Sequence, residues 1–234
     1  MKSYDDLTEA LQAILLHYSR GYTVWVQIET TADKLPALRE KWAEQYGTLL
    51  PAWKRQDRKQ KGLPNVVAVA APILSRPGKR EVILMSTGDA LRQSDASPFA
   101  REKWLQRLPE FSEFVLVHEP RPRGDYAWTW RLQERVAGGL EKHLKTLAKA
   151  GDAVALGAET HHMVKLYPLF GGVRRQIRRV LHSTRKLWLA SRRGDWPGPD
   201  PDHLPAMIGF RRGGQVAKED AGVSSQQAAE HPAD

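Results

Sequence analysis

Hydrophobic residues change their spacing several times along the first 133 positions of the chain. Apolar residues at helical spacing predict two amphipathic helices, which begin near Ser3 and Thr31 and end at Gly21 and Gly47. Alternating or continuously apolar runs predict strands at 22–29, 65–74, 80–87, 111–119 and 126–133. This succession is typical of a mixed domain rather than of an all-helical or all-strand one.

A short helix opened by Ser97-Pro98 and reaching Leu108 completes the order of predicted elements. After the first helix, that order is β-α-β-β-α-β with one more strand. It matches the split βαβ arrangement of a ferredoxin-like sandwich. We therefore expect an α+β protein with a ferredoxin-like βαββαβ sheet plus an extra strand, followed by a helical C-terminal part.

The second half of the chain has helical spacing and then loses its hydrophobic pattern. Helices are expected over 134–151, over 153–170 and over the Arg-rich segment that follows. A Pro-rich segment predicts a connector, and a final segment rich in Gly, Ala, Ser, Gln and Glu predicts disorder. The predicted parts are an α/β sandwich domain (1–133), a helical part (134–194), the connector (195–212) and a disordered tail (213–234).

The Arg-rich segment has the most distinctive composition. Its sequence, GGVRRQIRRVLHSTRKLWLASRRG (171–194), holds eight Lys or Arg and no acidic residue. One apolar stripe is predicted at Val173, Ile177, Val180, Leu181, Thr184 and Leu187. Like charges at i,i+4 destabilise a helix, so this helix is expected to face an anion, most commonly phosphate. The alternative is a solvated basic face, although such faces normally mix both signs of charge.

Net charge and amino-acid composition narrow the classes of partner. The net charge is +9, and nucleic acid is the first expectation, before an acidic protein or an anionic membrane. Without cysteine the chain has no disulfide, thiolate ligand or Cys nucleophile, which fits a reducing compartment. The N-terminal segment lacks signal-peptide features, and no apolar run approaches the ~20 residues of a membrane span. We expect a soluble cytoplasmic protein with no membrane partner.

Two basic clusters are the predicted phosphate contacts. The first consists of Arg174, Arg175, Arg178, Arg179, His182, Arg185 and Lys186. The second consists of Lys54, Arg55, Arg58, Lys59 and Lys61, in a loop or short helix before a strand, or in an exposed linker. Arginine suits bidentate phosphate binding. Gly171-Gly172 places free N–H groups at the start of the helix, which suits phosphate, unless these glycines only cap and turn the chain.

Aromatic residues on one predicted strand are candidates for stacking on bases. Tyr126, Trp128 and Trp130 fall on the same face, and Trp128 and Trp130 are the predicted contacts. The alternative is that they face a core. The usual RNA-recognition-motif signature is not matched, because the strand at 80–87 has no aromatic residue.

The sequence offers little catalytic chemistry, and we predict neither a metal nor a cofactor. Walker A, GxGxxG, GxSxG and HExxH patterns are absent. Adjacent His161 and His162 point about 100° apart on a helix and do not readily share one ion. A neutral His182 among arginines could act as a general base on a ribose hydroxyl if the protein were a nuclease. No other catalytic residue is assigned.

Three stretches resemble uncharacterised accessory proteins of proteobacterial plasmids and integrative elements. They are HYSRGYTVW (17–25), RKQKGLPN (58–65), and GGVRRQIRRVL paired with WPGPDPDHLPAMIGF, together about a fifth of the chain. The resemblance implies a mobile-genetic-element setting and no activity. A ferredoxin-like sheet with the element LFGGVRRQIRR is also similar in outline to CRISPR RNA-processing endonucleases of the repeat-associated type. That similarity carries over no catalytic residue.

The leading hypothesis is a non-enzymatic protein that binds RNA or DNA through the phosphate backbone. One alternative is a metal-independent endoribonuclease. The other is an adaptor or inhibitor within a larger bacterial complex, whose basic helix docks on an acidic protein surface.

Overall fold

Four strands form one mixed sheet in the computed structural model, which describes residues 1–74, 76–88, 90, 103–120, 124–191, 194–206 and 208. In spatial order the strands are β1 (Lys2–Ser3), β3 (Val66–Pro72), β4 (Lys79–Ser86) and β2 (Val24–Thr31). β1 runs parallel to β3, and the other two pairs are antiparallel. The α+β class is therefore confirmed.

Three further strands form a second, antiparallel sheet. They are β5 (Glu110–Phe111), β6 (Phe114–Pro120) and β7 (Tyr126–Leu132). The ferredoxin-like arrangement is not confirmed, because the strands expected at 111–119 and 126–133 pair with each other and not within the first sheet.

The helix expected to reach Leu108 is not found where the structure describes that segment. Leu105 and Trp25 instead exchange two backbone hydrogen bonds of 2.8 and 3.1 Å, which form a β-bridge on β2. The Trp25 indole N–H donates to the Arg107 carbonyl at 2.9 Å. These contacts occupy the backbone groups that a helix would need. Residues 97–102, the rest of that prediction, lie outside the described residues.

Six helices are found in the described residues. They are α1 (Leu7–Ser19), α2 (Leu35–Tyr46), α3 (Ala52–Gln60), α4 (Glu134–Ala150), α5 (Ala153–Leu166) and α6 (Gly171–Ala190). Ser3 does not cap α1, because it belongs to β1; the Asp6 carboxylate accepts from Thr8 N at 2.7 Å instead. Thr31 ends β2, and a 3₁₀ turn at Ala32–Lys34 precedes α2.

The largest hydrophobic cluster joins elements on both sides of position 133. It includes Leu11 of α1, Val69 of β3, Trp130 of β7 and Val173 of α6. A second cluster lies on the opposite face of the first sheet, where Trp42 of α2 packs. The two sheets and the C-terminal helices therefore share one core, which fixes α6 against the second sheet.

The predicted connector packs on α6 where the structure describes it. The Trp188 indole N–H donates to the Asp195 carbonyl at 2.9 Å, and Leu204 is buried in the main core after a 3₁₀ turn at Pro201–His203. The predicted tail at 213–234 and Arg192-Arg193 lie outside the described residues. No helix in the described part of the chain is long and apolar enough to cross a membrane.

Candidate nucleic-acid interface

The apolar stripe predicted on α6 faces the core. Val173, Ile177, Val180, Leu181 and Thr184 are buried, and Leu187 is partly buried. Trp188 and Gln176 are buried beside them. Because burial fixes the rotation of the helix, the cations of α6 lie on its remaining surface.

The first turn of α6 packs on β7 and does not present an open phosphate site. The Gly172 N–H donates to Thr129 Oγ1 at 3.2 Å. The buried Gln176 amide accepts from the Leu132 N–H at 2.8 Å and donates to the Leu132 carbonyl at 3.0 Å. Gly172 therefore serves close packing on β7, a role that neither the phosphate-binding prediction nor its alternative of a cap and turn described.

The arginines of α6 nearest the connector contact it directly, and we call Arg174, Arg178 and Arg185 the connector row. Arg174 donates to the Leu204 and Pro205 carbonyls at 3.2 Å each. Arg178 pairs with Asp202, and Arg185 Nη1 lies 3.5 Å from Asp200 Oδ1. These cations already have partners within the protein, so part of the predicted phosphate-binding surface is occupied.

The other basic side chains of α6 are Arg175, Arg179, His182 and Lys186. Arg175 pairs with Glu119 of β6, and His182 Nε2 lies 3.4 Å from Asp202 Oδ1. Glu119 and Asp202 lie outside α6 in sequence, so the missing acids of the segment are partly supplied by tertiary contacts. Within the described residues, no carboxylate pairs with Arg179 or Lys186.

Helix α4 adds lysines to this surface, and these lysines were not among the predicted phosphate contacts. Ser183 of α6 donates to Glu141 of α4 at 3.0 Å, and Lys145 pairs with the same carboxylate at 2.7 Å. The hydrogen bond from Lys145 is the main cause that holds the pKa of Glu141 below its ordinary value, and the charge of Arg179 adds to it. One cation from each of the two helices therefore acts on the same carboxylate.

We define the α4–α6 basic face as the lysines on one side of α4 together with the two cations of α6 that pair with no carboxylate in the described residues. Lysines at i, i+3 and i+7 share one side of α4, opposite its apolar residues. The face consists of Lys142, Lys145, Lys149, Arg179 and Lys186. The spacing of these lysines is visible in the sequence, but only the Ser183–Glu141 contact shows that α4 lies next to α6.

The second predicted cluster lies on α3 and the residue after it, so it is helical and not a linker. Lys54, Lys59 and Lys61 are exposed, and Lys61 pairs with Asp57 at 2.9 Å. Arg55 and Arg58 are partly buried, and burial lowers the pKa of Arg58. The exposed part of this cluster is therefore smaller than its composition suggests.

Base stacking on Trp130 is excluded by its position, so that prediction was wrong. Its side chain is fully buried, and its indole N–H donates to the Leu11 carbonyl at 2.9 Å. Trp128 is partly buried. Its ring centroid lies 4.5 Å from that of His118, which stacks on it, and 4.9 Å from that of Tyr18 in a T-shaped arrangement. Both rings serve contacts within the protein.

The described residues contain no group of three or more His, Asp or Glu side chains placed to hold a metal ion. Comparisons with models of protein families, with curated proteins and with solved structures found no match.

Proposed function

We propose that this protein binds RNA or DNA through the phosphate backbone, and that the α4–α6 basic face is the main contact surface. The observation that carries the proposal is that cations of two packed helices, Lys145 of α4 and Arg179 of α6, act on the same carboxylate, that of Glu141. Their mutual repulsion costs stability, and an anionic polymer would relieve it. A cytoplasmic location and an accessory role on a mobile genetic element belong to the same proposal.

The connector row has a different role in this proposal. Arg174 and Arg178 hold the connector through Leu204, Pro205 and Asp202, so their loss would disturb folding as well as binding. His182 also contacts the connector, because its Nε2 lies near Asp202, the same residue that pairs with Arg178. Variants of these residues cannot separate phosphate binding from stability.

Neutralising the α4–α6 basic face is expected to remove most of the salt-dependent binding. The test variant carries Lys142→Gln, Lys149→Gln, Arg179→Gln and Lys186→Gln, and it leaves the Lys145–Glu141 pair intact. Each phosphate contact contributes about 0.9 to the slope of log affinity against log salt, so the slope should fall by roughly 2–4. Fluorescence anisotropy with a labelled duplex and an RNA hairpin, between 50 and 200 mM salt, measures it.

A matched control removes the same charge from α2, α5 and the turn before α2. It carries Lys34→Gln, Arg39→Gln, Lys41→Gln and Lys165→Gln, all at exposed positions. An equal loss of slope in both variants would contradict a specific face. If the wild-type protein binds neither nucleic acid but binds an acidic protein surface, the adaptor hypothesis replaces the proposal.

Removing the carboxylates of the connector is expected to strengthen nucleic-acid binding. Asp200→Asn with Asp202→Asn would release Arg178, Arg185 and His182 toward the solvent, and asparagine can still cap the turn at Pro201–His203. Since an exposed ion pair is worth up to about 1 kcal/mol, we expect about a fivefold gain at 50 mM salt. Glu40→Gln with Glu44→Gln makes the same change in net charge on α2, and an equal gain there would show a general charge effect.

A further inference from the structure

Trp53 is the most exposed aromatic side chain in the described part of the chain, with 68% of its surface accessible. It lies in the first turn of α3, a helix that buries none of its residues. Packing therefore gives no reason for a tryptophan at this position. Tryptophan is enriched at interfaces, where its ring offers an apolar body and a polar N–H.

A cation lies beside the exposed ring. Lys54 Nζ lies 5.2 Å from the centroid of the Trp53 ring, and Lys59 is exposed on the same helix. The acidic residue of α3, Asp57, is paired with Lys61. The ring therefore has one adjacent positive charge, that of Lys54, and the carboxylate of α3 pairs with Lys61.

Positive charge continues from α3 toward the end of α1. Burial is the main cause that lowers the pKa of His17 to about 4, and the nearby charges of Arg20, Arg55 and Lys2 lower it further. Arg55 of α3 and Arg20 after α1 thus act on the same imidazole. Arg55, two residues after Trp53, faces the other side of α3, so the positive charge beside the ring itself is that of Lys54.

We propose that α3 binds single-stranded nucleic acid, with Trp53 stacked on an unpaired base and Lys54 against the adjacent phosphate. The inference rests on the proposed function and adds the class of ligand. Single strands offer base faces to aromatic rings, and a base-paired duplex offers them only at its ends. A membrane fits less well, because α3 has one large apolar residue and no apolar stripe.

The test compares single-stranded and duplex ligands of equal length. Wild-type protein and Trp53→Ala are titrated into labelled 15-nucleotide oligo-U, oligo-dT and a 15-base-pair duplex at one salt concentration. Stacking contributes about 1–3 kcal/mol per base, so Trp53→Ala should weaken single-strand binding by roughly tenfold. Duplex affinity should stay within about twofold, and Trp53→Phe should restore most of the single-strand affinity. Because Trp53 is exposed, the thermal midpoint should not change.

The outcomes separate this inference from the proposed function. If wild type binds duplex and the α4–α6 variant weakens that binding, but Trp53→Ala leaves single-strand affinity unchanged, the inference alone is overturned. An equal loss for single strand and duplex also overturns it. If the wild-type protein binds no nucleic acid, both this inference and the proposed function fail. Binding to anionic vesicles that depends on Trp53, with unchanged single-strand affinity, would assign the ring to a membrane instead.

Discussion

Alanine in place of Gly172 is expected to destabilise the protein by about 3 kcal/mol, the upper end of the usual cost of overpacking. A Cβ at this position would overlap the Trp130 carbonyl oxygen and lie 2.7 Å from Cγ of Arg131. The first of these atoms belongs to the backbone of β7, which cannot yield without moving the second sheet. Urea denaturation followed by circular dichroism measures the free energy of unfolding.

Gly139→Ala is the matched control for this change. Gly139 is also a helical glycine, on α4, but an added Cβ there meets nothing within 4 Å. Alanine favours a helix over glycine by roughly 0.5–1 kcal/mol, so this variant should be as stable as wild type or more so. Equal stability of Gly172→Ala and Gly139→Ala would contradict the close packing of α6 on β7.

The sequence predicted the elements well but not how they pair. The period of two in residues 126–133 and the period of 3.6 in α6 are local signals, and both elements are found. The division into two sheets depends on contacts such as the bridge between Trp25 and Leu105, eighty residues apart. No periodicity encodes such a contact, so the ferredoxin-like expectation rested on element order alone.

Within a single strand, too, the sequence did not predict which aromatic residues are buried. Tyr126 and Trp130 share a face of β7, yet Tyr126 is 62% exposed and Trp130 is fully buried. The difference arises because Trp130 lies against Leu11 of α1, while Tyr126 stands at the other end of the strand. Alternation gives the face of a side chain, but the neighbouring helix decides its burial.

The candidate site was predicted only in part, and the reason for the incomplete prediction is similar. Arg179 and Lys186 were identified from composition, and the structure leaves them without a described carboxylate partner. Asp200 and Asp202 pair with arginines of the connector row and come after α6 in sequence. Spacing alone could not show that the chain turns back and places these carboxylates against α6. Because tertiary contacts engage the arginines at the start of α6, the phosphate-binding surface that we propose lies nearer to α4 than the sequence predicted.

Replacing Gln176 is expected to give the second large loss of stability. This buried amide satisfies both backbone groups of Leu132, so Gln176→Ala would leave an N–H and a carbonyl unpaired beside a cavity. We expect a cost of about 3 kcal/mol, independent of pH between 5 and 8. Gln60→Ala, at an exposed position of α3, should change stability by no more than about 0.5 kcal/mol.

Glutamate at Gln176 distinguishes hydrogen bonding from packing, because its effect should depend on pH. A protonated carboxyl can donate to the Leu132 carbonyl and accept from its N–H, as the amide does, whereas a buried carboxylate cannot donate. Burial would raise the folded-state pKa of this carboxyl above its unfolded value of about 4.3. Stability relative to wild type should therefore be greatest at low pH and fall as pH rises through the folded-state pKa. A deficit for Gln176→Glu that is the same at pH 5 and pH 8 would show that the two hydrogen bonds do not hold α6 on β7.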